Sequence, residues 1–155
     1  MAELPANVSR VRVRMYHTDL VGVFHGRIFE LFEEARTEVF RRLGFEYRVA
    51  AEQGIAMVVT AVDAHFYRPL AMDDEVTVVV TIAHLSRARC TVAYEVWRPG
   101  EERVAVTGHT TFIFMDVGRG RPVPVPAEIR AAIARCPEML RTDGGEPAGG
   151  RVSPA

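Results

Sequence analysis

The chain has 155 residues and a net charge of −1, and its 19 basic residues are all arginine. With no lysine there is no Schiff base, phosphate-loop lysine or lysine general base, and none of the three serines, Ser9, Ser86 and Ser153, sits in a nucleophile elbow. The near-neutral balance disfavours nucleic acid or an anionic membrane as partner, and the length fits one domain with a self-sufficient core.

The arginine bias reads as codon usage. Cys90 and Cys136 have neither metal-ligand spacing nor the even framework of a short secreted chain, so a reducing, cytoplasmic setting is expected. No apolar run approaches the ~20 residues of a membrane helix, and Met1 to Arg14 has no apolar leader core.

In chain order, Ser9 to His17 alternates apolar and polar side chains, the period of a half-buried strand. Gly22 breaks the pattern. From about Gly26 the apolar positions Ile28, Phe32, Ala35, Val39 and Leu43 recur at helical spacing, and Gly44 is placed to end the helix. Phe45 to Gln53 fits a further short turn or helix. Four strand-like runs follow, Ile55 to Tyr67, Glu75 to Leu85, Arg89 to Arg98 and Arg103 to Val117, with connections too short for crossovers. Pro126 to Cys136 reads as a closing helix. The domain is expected over 8–136, and 137–155, rich in Gly, Pro and Ala beyond Asp143, as a disordered tail. One long helix wrapped by a curved five-stranded antiparallel sheet is an α+β arrangement, the hotdog fold.

Three blocks carry a resemblance over Val11 to Ile133. The first is Thr18-Asp19, Gly22-Val23 and His25, followed by Phe32-Glu33-Glu34-Ala35-Arg36-Thr37-Glu38. The second is Phe66-Tyr67-Arg68-Pro69 with Asp73-Asp74-Glu75-Val76. The third runs from Gly108 and Thr110 through Phe114-Met115-Asp116 and Gly120-Arg121-Pro122 to Val125-Pro126. Together they resemble the hotdog acyl-CoA thioesterases of the 4-hydroxybenzoyl-CoA thioesterase type. One residue fewer than is usual in that family separates Asp19 from the helical arginine, Arg36. If the gap precedes His25, that histidine keeps the family position; if it follows, His25 takes the preceding aromatic place.

The resemblance implies hydrolysis of an acyl-CoA thioester, with Asp19 as nucleophile or general base. A helix start supplies orphan amides and a positive dipole end for the carbonyl oxygen, here near His25 and Gly26. Helix capping is the structural alternative for Asp19. His25 would orient the thioester or the aspartate, and Tyr16 could line the site. Arg36 either reaches toward the active loop, as in polyketide-pathway relatives, or pairs with Glu33 on its own helix. Arg87 and Arg89, at a strand turn, are candidates for the coenzyme A phosphates, or simply edge-strand charges. Phe24, Phe29, Phe32 and Met57 could form the acyl pocket. His65, His84 and His109 lack ligand spacing, so no metal and no cofactor beyond the substrate's own coenzyme A is expected. An acyl-carrier-protein thioesterase and a non-catalytic acyl-CoA-binding module are the alternatives. A homodimer or homotetramer is expected, because a single curved sheet leaves edges and a face to cover.

Overall fold

The computed structural model describes residues 3–23 and 25–140; Phe24 and residues 141–155, most of the expected tail, lie outside them. Strand β1 is Val8–Arg12. It is shorter than its alternation suggested, because Met15–His17 tightens into a 3₁₀ turn in which the Arg14 amide donates to His17 Nδ1 at 2.9 Å.

Helix α1, Ile28–Arg42, buries Ile28, Leu31, Phe32, Ala35, Arg36, Val39 and Phe40, the three-and-four spacing of a core-facing stripe. Its end is a Schellman motif. Gly44, at φ 93°, donates to Arg41 O at 3.0 Å, Phe45 donates to Phe40 O at 2.9 Å, and the Phe40 and Phe45 rings meet at 6.4 Å. Helix α2, Tyr47–Glu52, follows directly.

Strands β2 (Ile55–Phe66), β3 (Glu75–Leu85), β4 (Cys90–Trp97) and β5 (Val106–Asp116) complete a wholly antiparallel sheet in the order β1-β3-β4-β5-β2. A sixth strand, β6 (Arg121–Val123), extends it. Strand β4 stops opposite Phe112, which leaves the far end of β5 with a free edge. Arg121–Val123 folds back onto that edge, pairing Phe114 with Val123 and Asp116 with Arg121. Helix α3, Ala127–Ala134, closes the domain. The packed unit runs past residue 136, since a 3₁₀ turn at Pro137–Met139 buries Met139 completely.

The helix seats on the sheet at Gly108. A Cβ there would stand 2.5 Å from Phe32 Cε2 and 2.5 Å from Asp63 O, so the bare glycine lets the Phe32 ring lie flat against Tyr94, with centroids 4.4 Å apart and planes at 4°. Phe32, 1% exposed, contributes about 2–3 kcal/mol by burial alone. The fold is the hotdog arrangement expected from the pattern, with β6 added.

Candidate active site

The loop from Thr18 to Val23 is built by its own polar groups. Thr18 Oγ1 donates to Met15 O at 2.7 Å, and Thr18 bridges Val23 across the loop. Asp19 Oδ1 accepts the Val21 amide at 2.7 Å and the Gly22 amide at 3.3 Å, while the Asp19 amide donates to Gly22 O at 2.7 Å. The capping alternative for Asp19 is therefore realised within its own turn, as an Asx turn, and not on α1. Gly22 sits at φ 146°, and a Cβ would fall 2.7 Å from Leu70 O. Only glycine lets the loop press onto the Pro69–Leu70 turn, where Val23 N donates to Leu70 O at 2.8 Å. The carboxylate is thus held at an exposed position.

Beyond Phe24 the chain enters a 3₁₀ turn, His25–Arg27, and then α1, whose first turn carries no side-chain cap. His25 and Gly26 stand exposed at this helix start. The amides and the dipole of a helix start suit an oxyanion. The loop ahead of the helix is tied to it by a residue that the sequence pattern did not single out. His17 is 3% exposed; its Nδ1 accepts the Arg14 amide, so Nε2 carries the proton facing Glu30 Oε2 at 3.4 Å. Glu30 also pairs with Arg27 at 2.5 Å. The only sequence signal for His17 was its place at the end of an alternating run, two residues before Asp19.

Arg36 does not pair with Glu33. The guanidinium is buried, at 3% exposure, and its Nη1 donates to the Tyr94 hydroxyl at 2.8 Å. Its carbon lies 5.7 Å from the centre of the Phe112 ring. Glu33 faces solvent instead. Tyr47 perturbs Arg36 electrostatically, yet neither the Tyr47 hydroxyl nor Arg36 Nε has a hydrogen-bond partner of acceptable geometry. Burial pushes the Tyr47 phenol up to about 12, against the pull of Arg36. Of the suggested acyl-pocket residues, Phe32 is in the core and Phe29 packs edge-on to it at 6.0 Å. Met57 lines a cavity with Arg36 and Tyr47, and Phe24 is outside the described residues.

Tyr16 and Met15 are both exposed, at 66% and 74%, because the 3₁₀ turn cancels the strand alternation that would have set them on opposite faces. Arg87 and Arg89 are exposed in the β3–β4 turn, which is locked by Ser86 Oγ accepting the Arg89 amide at 3.1 Å and by Arg130 donating to Ser86 O at 2.5 Å. The Asp19 loop lies at the Glu75 end of β3 and this turn at the Leu85 end. Eleven residues of strand separate the two, roughly 30 Å of path, so within one chain these arginines do not meet Asp19. His109 faces Asp63 at 3.0 Å on the outer surface, and His65 and His84 are exposed. No helix among the described residues is long and apolar enough to cross a membrane.

The model of the thioesterase-like superfamily matches residues 13–133. The chain belongs to that superfamily. It is similar to a putative esterase of Aquifex aeolicus, 35% identical over 123 residues that make up 79% of this chain and 93% of that one. It is also similar to the acyl-CoA thioesterase YbgC of Haemophilus influenzae, 30% identical over 124 residues, 79% of this chain and 90% of the relative. Among solved structures, the DHNA-CoA thioesterase of Staphylococcus aureus superposes with a TM-score of 0.76 at 25% identity, covering 83% of this chain and 89% of that chain. This superfamily member is a thioester hydrolase of the hotdog fold.

Proposed function

We propose that the protein hydrolyses acyl-CoA thioesters to a carboxylic acid and coenzyme A, with Asp19 delivering the attack and the amides at the start of α1 holding the carbonyl oxygen. The observation that carries the reading is a carboxylate anchored through one oxygen by Val21 and Gly22 on the loop that leads into α1, where Arg27 makes no side-chain cap. Asp19 acts either as general base, taking a proton from water as its oxygen bonds to the carbonyl carbon, or as nucleophile, forming a mixed anhydride that water then opens. In both routes the carbon–sulfur bond breaks and the thiolate leaves with a proton. His25 and Tyr16, on the two turns that flank the Asp19 loop, orient the thioester, and no metal or further cofactor takes part. Steady thiol release from an acyl-CoA panel tests the reading. Release from acyl-carrier-protein thioesters alone would move the substrate to that carrier, and no release from either would refute hydrolysis. Label from H₂¹⁸O found in Asp19 after one turnover would identify the nucleophile route.

The working unit is a homodimer built on β2, which can pair again into a tetramer. This twelve-residue strand ends the sheet, and Val59, Val62 and Phe66 along it are 46–48% exposed, a long apolar edge of the kind that invites pairing. A twofold axis through β2 inverts the partner's sheet. The partner's β3–β4 turn then lies on the Asp19 side of the molecule, so Arg87 and Arg89 of one chain can face the coenzyme A phosphates of the other. Cys90 and Cys136 are free and buried, which suits a reducing compartment such as the cytoplasm.

A further inference from the structure

Arg36 is a cation buried inside α1 whose contacts are all neutral: the Tyr94 hydroxyl at 2.8 Å and the face of Phe112 at 5.7 Å. Burying a charge without a counter-charge is costly unless something completes the site. Arg36 Nε and the Tyr47 hydroxyl, both buried, lie close enough to act on each other yet form no well-aligned hydrogen bond, and neither has another partner among the described residues. Both residues line one cavity of about 360 Å³, otherwise walled largely by Ala50, Ile55, Met57 and Phe114. The only carboxylate in its lining is Glu33, which faces solvent and makes no pair with Arg36. A site with apolar walls and two convergent donors, one of them cationic, is made for an anionic oxygen ligand on an apolar stem.

We infer that this cavity receives the far end of the acyl group and selects chains that end in a carboxylate, whose oxygens accept from Arg36 Nε and the Tyr47 hydroxyl. The inference rests on the acyl-CoA hydrolase reading above. Ten residues separate Gly26 at the helix start from Arg36, about 15 Å of helix axis. The side chain leans one turn back toward the N-terminus, which leaves about 10 Å. An extended chain advances about 1.2 Å per bond, so a diacid of about eight carbons fits best.

The test compares kcat/KM for CoA esters of α,ω-diacids and of monoacids of equal length, from about four to ten carbons. The wild type favours the diacid ester at least tenfold at its best length, and Arg36→Met and Tyr47→Phe each bring the ratio toward one. An active enzyme that treats each pair equally overturns the inference. Should Arg36→Met fail to fold, Tyr47→Phe, which removes a single hydroxyl, carries the comparison. Calorimetry with octanoate and octanamide reads the subsite without turnover. Octanoate binding at least tenfold tighter than octanamide, with the difference lost in Tyr47→Phe, supports it even if no ester is hydrolysed, in which case the hydrolase reading alone fails. Equal binding of the two probes overturns the subsite.

Discussion

At Gly108 one missing methyl decides how helix and sheet meet. A Cβ at 2.5 Å from both Phe32 Cε2 and Asp63 O has to push against a fully buried ring on one side and backbone on the other, so neither neighbour can give cheaply. Gly108→Ala is expected to cost about 1–3 kcal/mol, a fall in Tm of several degrees, whereas an unchanged melting curve would deny the close seating of Phe32 on Tyr94. The buried titratable groups give a second residue-scale expectation. Burial pushes Cys90 from 9.0 up to about 12 and Tyr47 from 10.0 up to about 12. The folded state holds these protons more tightly than the unfolded one, so their stabilisation is complete below pH 9 and is lost as pH rises toward 12. Denaturant midpoints measured from pH 8 to 12 should fall across that window, and Tyr47→Phe should flatten the part above pH 10. A midpoint independent of pH would contradict the burial of these groups.

Elements differ in how plainly they were written. The stripe of α1 and the glycine that closes it are local signals, and they appear as Ile28–Arg42 with Gly44 in the left-handed region. The end of β1 was illegible, because the alternation continues through Met15 to His17 while the backbone turns to satisfy the Arg14 amide with a histidine nitrogen. Strand β6 was illegible for a different reason: it exists only because β4 stops short on its neighbour, a tertiary fact. Arg36 was legible as important and misread in its partner, since helical spacing offers Glu33 and only the sheet can offer Tyr94. The free edge of β2 carries its own prediction. Val62→Glu places like charges across the proposed twofold axis, so light scattering should move from twice the chain mass of 17.3 kDa to that of one chain, with circular dichroism unchanged. A variant that stays dimeric would place the interface elsewhere.

For the whole molecule, the fold brings a turn-anchored carboxylate, a helix start and a buried arginine onto a single loop and helix, while the arginine pair of the β3–β4 turn stands at the other end of the sheet. That separation ties the proposed role of Arg87 and Arg89 to the proposed dimer, in which the partner chain would bring them to the Asp19 side. The absence of lysine and of any serine elbow agrees with the proposed carboxylate acting beside helix amides. The most direct measurement is thiol release by wild type and Asp19→Asn at matched concentration, with folding checked by circular dichroism. The proposed role of Asp19 requires an intact fold and a rate lower by about 10²–10⁴-fold. An Asp19→Asn protein that releases thiol at the wild-type rate would contradict it.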